Sequence, residues 1–191
     1  MALFDGTADL AMISTALENQ LDVVGRAKPG LPLDRLQEFE VARTRTVLVV
    51  HPSNPVHSIS DEDLRRVLSG EATNWRQLGG DDLPVRVAAT REGGGTVATV
   101  EAALLGAGRH ISAPDQIRFQ SGSQVVKAVE QEAGALGIAQ LKLTRGRKVR
   151  ELATASIFEQ RLSLVSLGDP SPEMLAVIRA CRAAAAAPDA D

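Results

Sequence analysis

Thr90–Arg91–Glu92–Gly93–Gly94–Gly95–Thr96 follows the apolar run Val85–Arg86–Val87–Ala88–Ala89 and leads into a helical stretch that starts near Val97. A short strand runs into a glycine turn, and the turn opens a helix. The first backbone N–H groups of such a helix have no acceptor within it and point outward. The helix dipole adds partial positive charge at the same end, so the place suits an anion. Glycines let the backbone approach a ligand closely, and Arg91 can present a planar fork of donors to an oxyanion. A plain tight turn before a helix has the same outline, so the motif needs support from the rest of the chain.

Outward from this stretch, strands and helices alternate. Ala8–Asp9–Leu10–Ala11–Met12–Ile13 reads as a strand end or a buried loop, and Leu33 to Glu40 as a short helix. Thr44–Arg45–Thr46–Val47–Leu48–Val49–Val50 is a β-branched strand that ends at His51–Pro52. Ser60 is the expected N-cap of the next helix, with Asp63 completing a capping box, Leu64, Val67 and Leu68 on the apolar stripe, and Gly70 at the end. Val85–Ala89 is a strand and Val97 to Leu105 a helix. Ile117–Arg118–Phe119 is a short strand, and a helix carrying Val125, Val126 and Val129 follows Ser121–Gly122–Ser123. Ala135–Ala139 and Leu162–Leu167 read as strands. A last helix starts at Ser171–Pro172–Glu173, with Met174, Leu175, Val177, Ile178 and Cys181 inward and Ala183–Ala187 fraying into a tail. The class is therefore α/β.

Composition narrows the function. The 191 residues suffice for one good core or two small ones. With 44% hydrophobic and 24% charged residues the chain is globular rather than disordered. A net charge of −3 gives no footprint for nucleic acid, so no nucleic-acid partner is expected. No apolar run approaches a membrane span. Met1–Ala2–Leu3–Phe4–Asp5 shows no basic segment followed by an apolar one, which leaves cytoplasmic residence open. Cys181 is the only cysteine, so an intramolecular disulfide is impossible, and it reads as a small core residue. His51, His57 and His110 are spaced unlike metal ligands, and no cofactor or metal is expected. Trp75 reads as a packed anchor.

His51–Pro52–Ser53–Asn54–Pro55–Val56, Leu64–Arg65–Arg66–Val67–Leu68–Ser69–Gly70, Thr73–Asn74–Trp75 and Gly79–Gly80 occur in an order that resembles the periplasmic phosphate-binding proteins of ABC transporters. Gly6–Thr7–Ala8–Asp9, the Arg91–Thr96 loop and Gly134–Ala135–Leu136–Gly137–Ile138 extend the resemblance over nearly the whole chain. It implies a two-lobed, periplasmic-binding-protein-like (type II) fold closing on its ligand. By this analogy residues 1–52 with 142–191 form one lobe and 53–141 the other, with crossings near His51–Pro55 and Gln140–Lys142. Family members begin with a strand, a helix and a second strand that have no counterpart here, so an N-terminally truncated fold is expected. Exposed apolar edges would then invite self-association. In the anion loop Gly94 stands where the family usually has serine, and the loop is one residue short.

The resemblance also assigns a site. Arg91 would neutralise the oxyanion; Gly94, Gly95 and Thr96 would offer backbone N–H groups, and Thr96 a hydroxyl. Threonine at a helix start is equally a cap. Asp9 matches the family aspartate that accepts a hydrogen bond from protonated phosphate, a bond that fully ionised sulfate cannot donate. Aspartate capping the next segment is the competing reading. Ser121 and Ser123 can donate to an anion or serve to cap their helix, and Ser14 is a further candidate near the cleft. The implied function is capture of an oxyanion, phosphate first, for presentation to a membrane permease by an exported protein. The alternatives are a ligand-sensing module of the same fold and a degenerate paralogue without a tight ligand. No nucleophile elbow or phosphate-binding Gly-Lys loop is present, and no enzymatic activity is expected.

Overall fold

The structure is a computed structural model that describes residues 2–14, 17–91, 94–106 and 108–186. Glu92 and Gly93 of the anion loop, and Ala187 of the alanine run, lie outside the described residues. In chain order the elements are β1 (Ala11–Ile13), α1 (Leu17–Ala27), β2 (Leu36–Val50), β3 (Ser58–Ile59), α2 (Asp61–Ser69), β4 (Arg86–Thr90), α3 (Gly95–Leu104), β5 (Gln116–Phe119), α4 (Gly122–Gln131), β6 (Ala135–Gln140), β7 (Arg150–Thr154), β8 (Phe158–Leu167) and α5 (Pro172–Ala186). No helix among the described residues is long and apolar enough to cross a membrane. The chain forms two compact units, residues 1–44 with 160–191 and residues 45–159. The crossings therefore fall within β2 and β8, and the expected crossing points at 51–55 and 140–142 lie inside the second unit. The reason is pairing: β7 joins β2 through Leu48↔Leu152 and β3 through Ser58↔Ala153, which keeps residues 142–159 with the second unit.

In the first unit β8 lies between β1 and the early part of β2, and Ala11 pairs antiparallel with Val165. The helix expected from Leu33 is a single 3-10 turn, Leu33–Arg35, after which the chain extends. Cross-strand partners hold it extended. Ser163 Oγ donates to Glu38 at 2.6 Å, and Arg161 meets Glu40 at 3.0 Å. Tertiary pairing here outweighs a weak local helix pattern. The inner face of α5 is narrower than expected. Ile178 is buried and Cys181 half-buried against Val41, Phe39 and Leu164, whereas Val177 is 49% exposed and Leu175 36%. At 3.6 residues per turn Met174, Ile178 and Cys181 centre the inward side of the helix, while Leu175 and Val177 fall to either side of it. Ala183–Ala186 remain helical. Met12 on β1 is 63% exposed.

In the second unit the strand order is β3-β7-β2-β6-β4-β5. β4 runs parallel to both neighbours, and β2 and β6 are antiparallel. Alternate residues face opposite sides. Leu48, Val50, Val87, Ala89, Leu136 and Ile138 meet α2 and α3 on one face. Val47, Val49, Ala88 and Ala135 meet Val125 and Val129 of α4 on the other. Gly137 permits the second contact, since a Cβ there would stand 2.6 Å from Val129 and 2.8 Å from Val49. α2 forms as its caps dictate: the Ser60 side chain accepts from Asp63 N at 3.0 Å, and Gly70 ends the helix at φ +85°. Asn74 caps a 3-10 turn that carries the fully buried Trp75, whose Nε1 donates to Gly134 O at 2.9 Å.

A carboxylate clasp fastens α4 to the segment before β7. Glu130 accepts from Arg147 Nε at 2.9 Å and Nη2 at 2.5 Å, and from Lys148 N at 2.9 Å. The Arg147 side chain first, and then the Lys148 amide, hold the Glu130 carboxyl down at about 2 from its ordinary 4.5. A carboxyl with a depressed folded value stabilises fully above its unfolded value and loses that contribution as pH falls through the folded one. Glu130→Gln is therefore expected to melt below wild type at pH 7, with the gap closing between pH 4.5 and about 2. Thermal melts across that range check it; a gap that stays constant to low pH would contradict the clasp.

Candidate functional site

The site is built by the ends of two parallel strands. Thr90 pairs with Phe119, so β4 and β5 finish side by side. The helices that follow leave in opposite directions: Val97, Val100 and Leu104 of α3 pack on one face of the sheet, and Val125 and Val129 of α4 on the other. Adjacent parallel strands whose connections depart to opposite faces leave a crevice at their carboxyl ends, where α/β sheets place ligands. Both helix N-termini open at this edge. The short turn after β6 (Leu141–Thr144) also abuts it, since a Cβ on Gly122 would stand 2.6 Å from Leu143.

Arg91 is the first residue past β4. Its amide donates to Phe119 O at 3.1 Å, which ties the loop to β5, and its side chain is exposed. With the Gln120 amide turned so that its oxygen faces the guanidinium, Gln120 accepts from Arg91 Nη1 at 2.9 Å and Nε at 3.3 Å. Gln120 thus holds the planar fork at the carboxyl ends of β4 and β5. Arg118 brings a second guanidinium to the same edge, donating from Nη1 to Thr90 O at 3.2 Å. Gly94 donates to Arg91 O at 3.2 Å, closing the turn, and is the N-cap residue of α3 without a side-chain cap. Gly95 and Thr96 form the buried first turn of α3.

On the neighbouring strand end, Ser121 is the N-cap residue of α4, and Ser123 lies exposed in its first turn. The Gln124 side chain accepts from Gln120 N at 3.0 Å and Ser121 N at 3.2 Å, fixing the entry to α4. Arg91, Gly94, Gly95, Thr96, Ser121 and Ser123 are thus gathered around the ends of β4 and β5. Asp9 lies in the first unit, exposed in the bend before β1, and Ser14 directly follows β1. Sequence reasoning passed over Gln120 and Arg118. Their signal was position alone, in and just after a strand that precedes a serine-capped helix.

The candidate site's chemistry is that of recognition. It presents two guanidinium groups and two helix N-termini, and a group that binds there gains charge-assisted hydrogen bonds. His51, which starts the Asn-Pro segment, bonds Ser53 Oγ through Nδ1 at 2.7 Å. Asn54 accepts from Val56 N at 2.9 Å, and Arg150 Nη2 donates to the Asn54 and Val56 carbonyls at 2.6 Å and 2.7 Å, so this motif shapes a turn.

Comparison with known proteins agrees with this architecture. The sequence profile of the PBP superfamily domain matches residues 1–186. The phosphate-binding protein PstS of Bacillus subtilis is 29% identical over 133 residues, covering 69% of this chain and 43% of that protein. The chain thus spans about two fifths of the length of the curated relatives it matches. An ABC-type phosphate transport receptor from Vibrio cholerae has a similar structure, with TM-score 0.72 and 22% identity over 95% of this chain and 76% of that one. A phosphate ABC transporter substrate-binding protein from Clostridium perfringens, solved with bound phosphate, matches with TM-score 0.74 and 19% identity over 94% of this chain and 74% of that one.

Proposed function

This chain belongs to the PBP superfamily domain family, and from that premise we propose that it is a solute-binding protein that captures a small oxyanion, inorganic phosphate first, and hands it to a membrane permease. The observation that carries the reading is Arg91, which stands at a strand end beside the N-terminus of α3, on the crevice where β4 and β5 send their helices to opposite faces. Capture needs no bond to break. It needs fixed donors whose partners are already oriented, and Gln120 and the Phe119 carbonyl supply that orientation for Arg91. The phosphate-binding relatives support the choice of anion. Export to the periplasm follows from the same kinship as part of this proposal.

Titration calorimetry with phosphate, sulfate, molybdate and tungstate tests the reading. Saturable one-to-one binding of phosphate is expected. If a folded sample binds none of the four anions, the proposal is wrong.

A further inference from the structure

β4 and β5 hold arginines at both of their ends, and the two ends treat them differently. At the amino end Arg86 meets Asp115 at 2.8 Å and Glu132 at 3.1 Å, so its charge is neutralised. At the carboxyl end the partners are uncharged. Arg118 donates from Nε to Gln116 Oε1 at 3.0 Å and from Nη1 to Thr90 O at 3.2 Å. Arg91 is held by the Gln120 amide oxygen. Among the described residues no carboxylate pairs with either guanidinium, and Arg118 Nη2 has no acceptor. An amide or carbonyl oxygen fixes a guanidinium without cancelling its charge, whereas a carboxylate does both. The strand register places Arg118 on the side of the sheet where α3 packs. It pairs with Ala89, whose side chain belongs to the cluster shared with α2 and α3, while Phe119 turns to the cluster of α4. Its bond to Thr90 O brings the guanidinium across to the last carbonyl of β4, and Arg91 is the next residue. Two guanidinium groups fixed at one pair of strand ends repel each other, and an anion bound to both removes that cost.

We propose that Arg118 is a ligand of the oxyanion beside Arg91, and that the two together select a divalent tetrahedral anion over a monovalent one. This rests on the oxyanion-binding reading given above. Arg118 keeps its bonds to Gln116 and Thr90 O and donates to the anion from Nη2. Attraction scales with the product of the charges, so each guanidinium contributes about twice as much toward a dianion as toward a monoanion at the same distance. Gln116 is the positioning residue: it orients Arg118 and leaves its charge whole.

Titration of inorganic phosphate, largely divalent at about pH 8, and of monovalent perchlorate at the same pH tests the assignment. The proteins are wild type, Arg118→Gln and Gln116→Glu, with thermal melts in parallel. Arg118→Gln is expected to lose about 10- to 100-fold in phosphate affinity, the scale of one hydrogen bond to a charged group. Its perchlorate affinity falls less, by about threefold where phosphate loses about tenfold, because the anion carries half the charge. Gln116→Glu keeps an acceptor beside Arg118 and cancels its charge. It is expected to lose about tenfold in phosphate affinity while melting at or above the wild-type temperature. Wild-type phosphate affinity in either variant would overturn the assignment while leaving the oxyanion reading intact. An equal fold-loss for both anions in Arg118→Gln would do the same, since it marks a brace for the end of β4. Failure of wild type itself to bind any oxyanion would overturn both.

Discussion

Arg91→Ala is expected to lower phosphate affinity by about 10- to 100-fold while leaving the melting temperature of the protein nearly unchanged. The first half follows from the strength of a hydrogen bond to a charged group, about 1.5–3 kcal/mol. The second follows from exposure. The Arg91 side chain is in solvent, its recorded side-chain partner is Gln120, and what ties the loop to β5 is the Arg91 backbone amide, which alanine retains. Surface substitutions of this kind shift stability by about ±0.5 kcal/mol. Arg91→Lys is expected to fall between the two, because it keeps the charge and loses the planar fork. Calorimetric titration with phosphate and a thermal melt of the same samples separate the cases. Equal affinity in Arg91→Ala and wild type would remove Arg91 from the site; a large drop in melting temperature would make it structural instead.

Trp75→Ala has the largest expected effect on folding. Trp75 is fully buried in the core of the second unit among the residues contributed by α2, α3 and the sheet. Truncating a buried tryptophan to alanine costs about 3–5 kcal/mol, a large share of the 5–15 kcal/mol that holds a domain together. Trp75→Phe is expected to be milder. It keeps most of the apolar volume and forgoes the Nε1 bond to Gly134 O, while that carbonyl still accepts from Arg86 N at 3.0 Å, so the added loss is about 0.5–1.5 kcal/mol. Two nearby glycines belong to the same packing. A Cβ on Gly80 would stand 3.1 Å from the Trp75 Cβ, and one on Gly134 would meet the Pro84 carbonyl at 2.4 Å. Urea denaturation of the three proteins checks the order; a Trp75→Ala protein as stable as wild type would contradict the anchor role.

The local elements of the second unit were legible because their signals are short-range. The Ser60 cap with Asp63, the Leu64–Val67–Leu68 stripe, the Gly70 stop and the β-branched run Val47–Val50 each lie within a few residues of the feature they determine. The placement of the candidate residues on these elements was legible to the same extent. Arg91 and Gly94–Thr96 are contiguous, and Ser121 and Ser123 sit before a recognisable helix. Gln120 and Arg118 escaped because nothing in their own neighbourhood distinguishes them. They acquire meaning only when Thr90 and Phe119 pair across β4 and β5.

From sequence alone came the α/β class, the family resemblance, and a strand-turn-helix motif with an arginine at its bend. Three things were left to tertiary structure: the unit boundaries inside β2 and β8, the extended conformation from Leu36 onward, and the meeting of two helix N-termini at one sheet edge. The physical reason is range. Caps, turns and hydrophobic periods act over three or four residues along the chain, whereas strand pairing joins residues far apart in it, and its pattern of neighbours is set only when the whole sheet assembles.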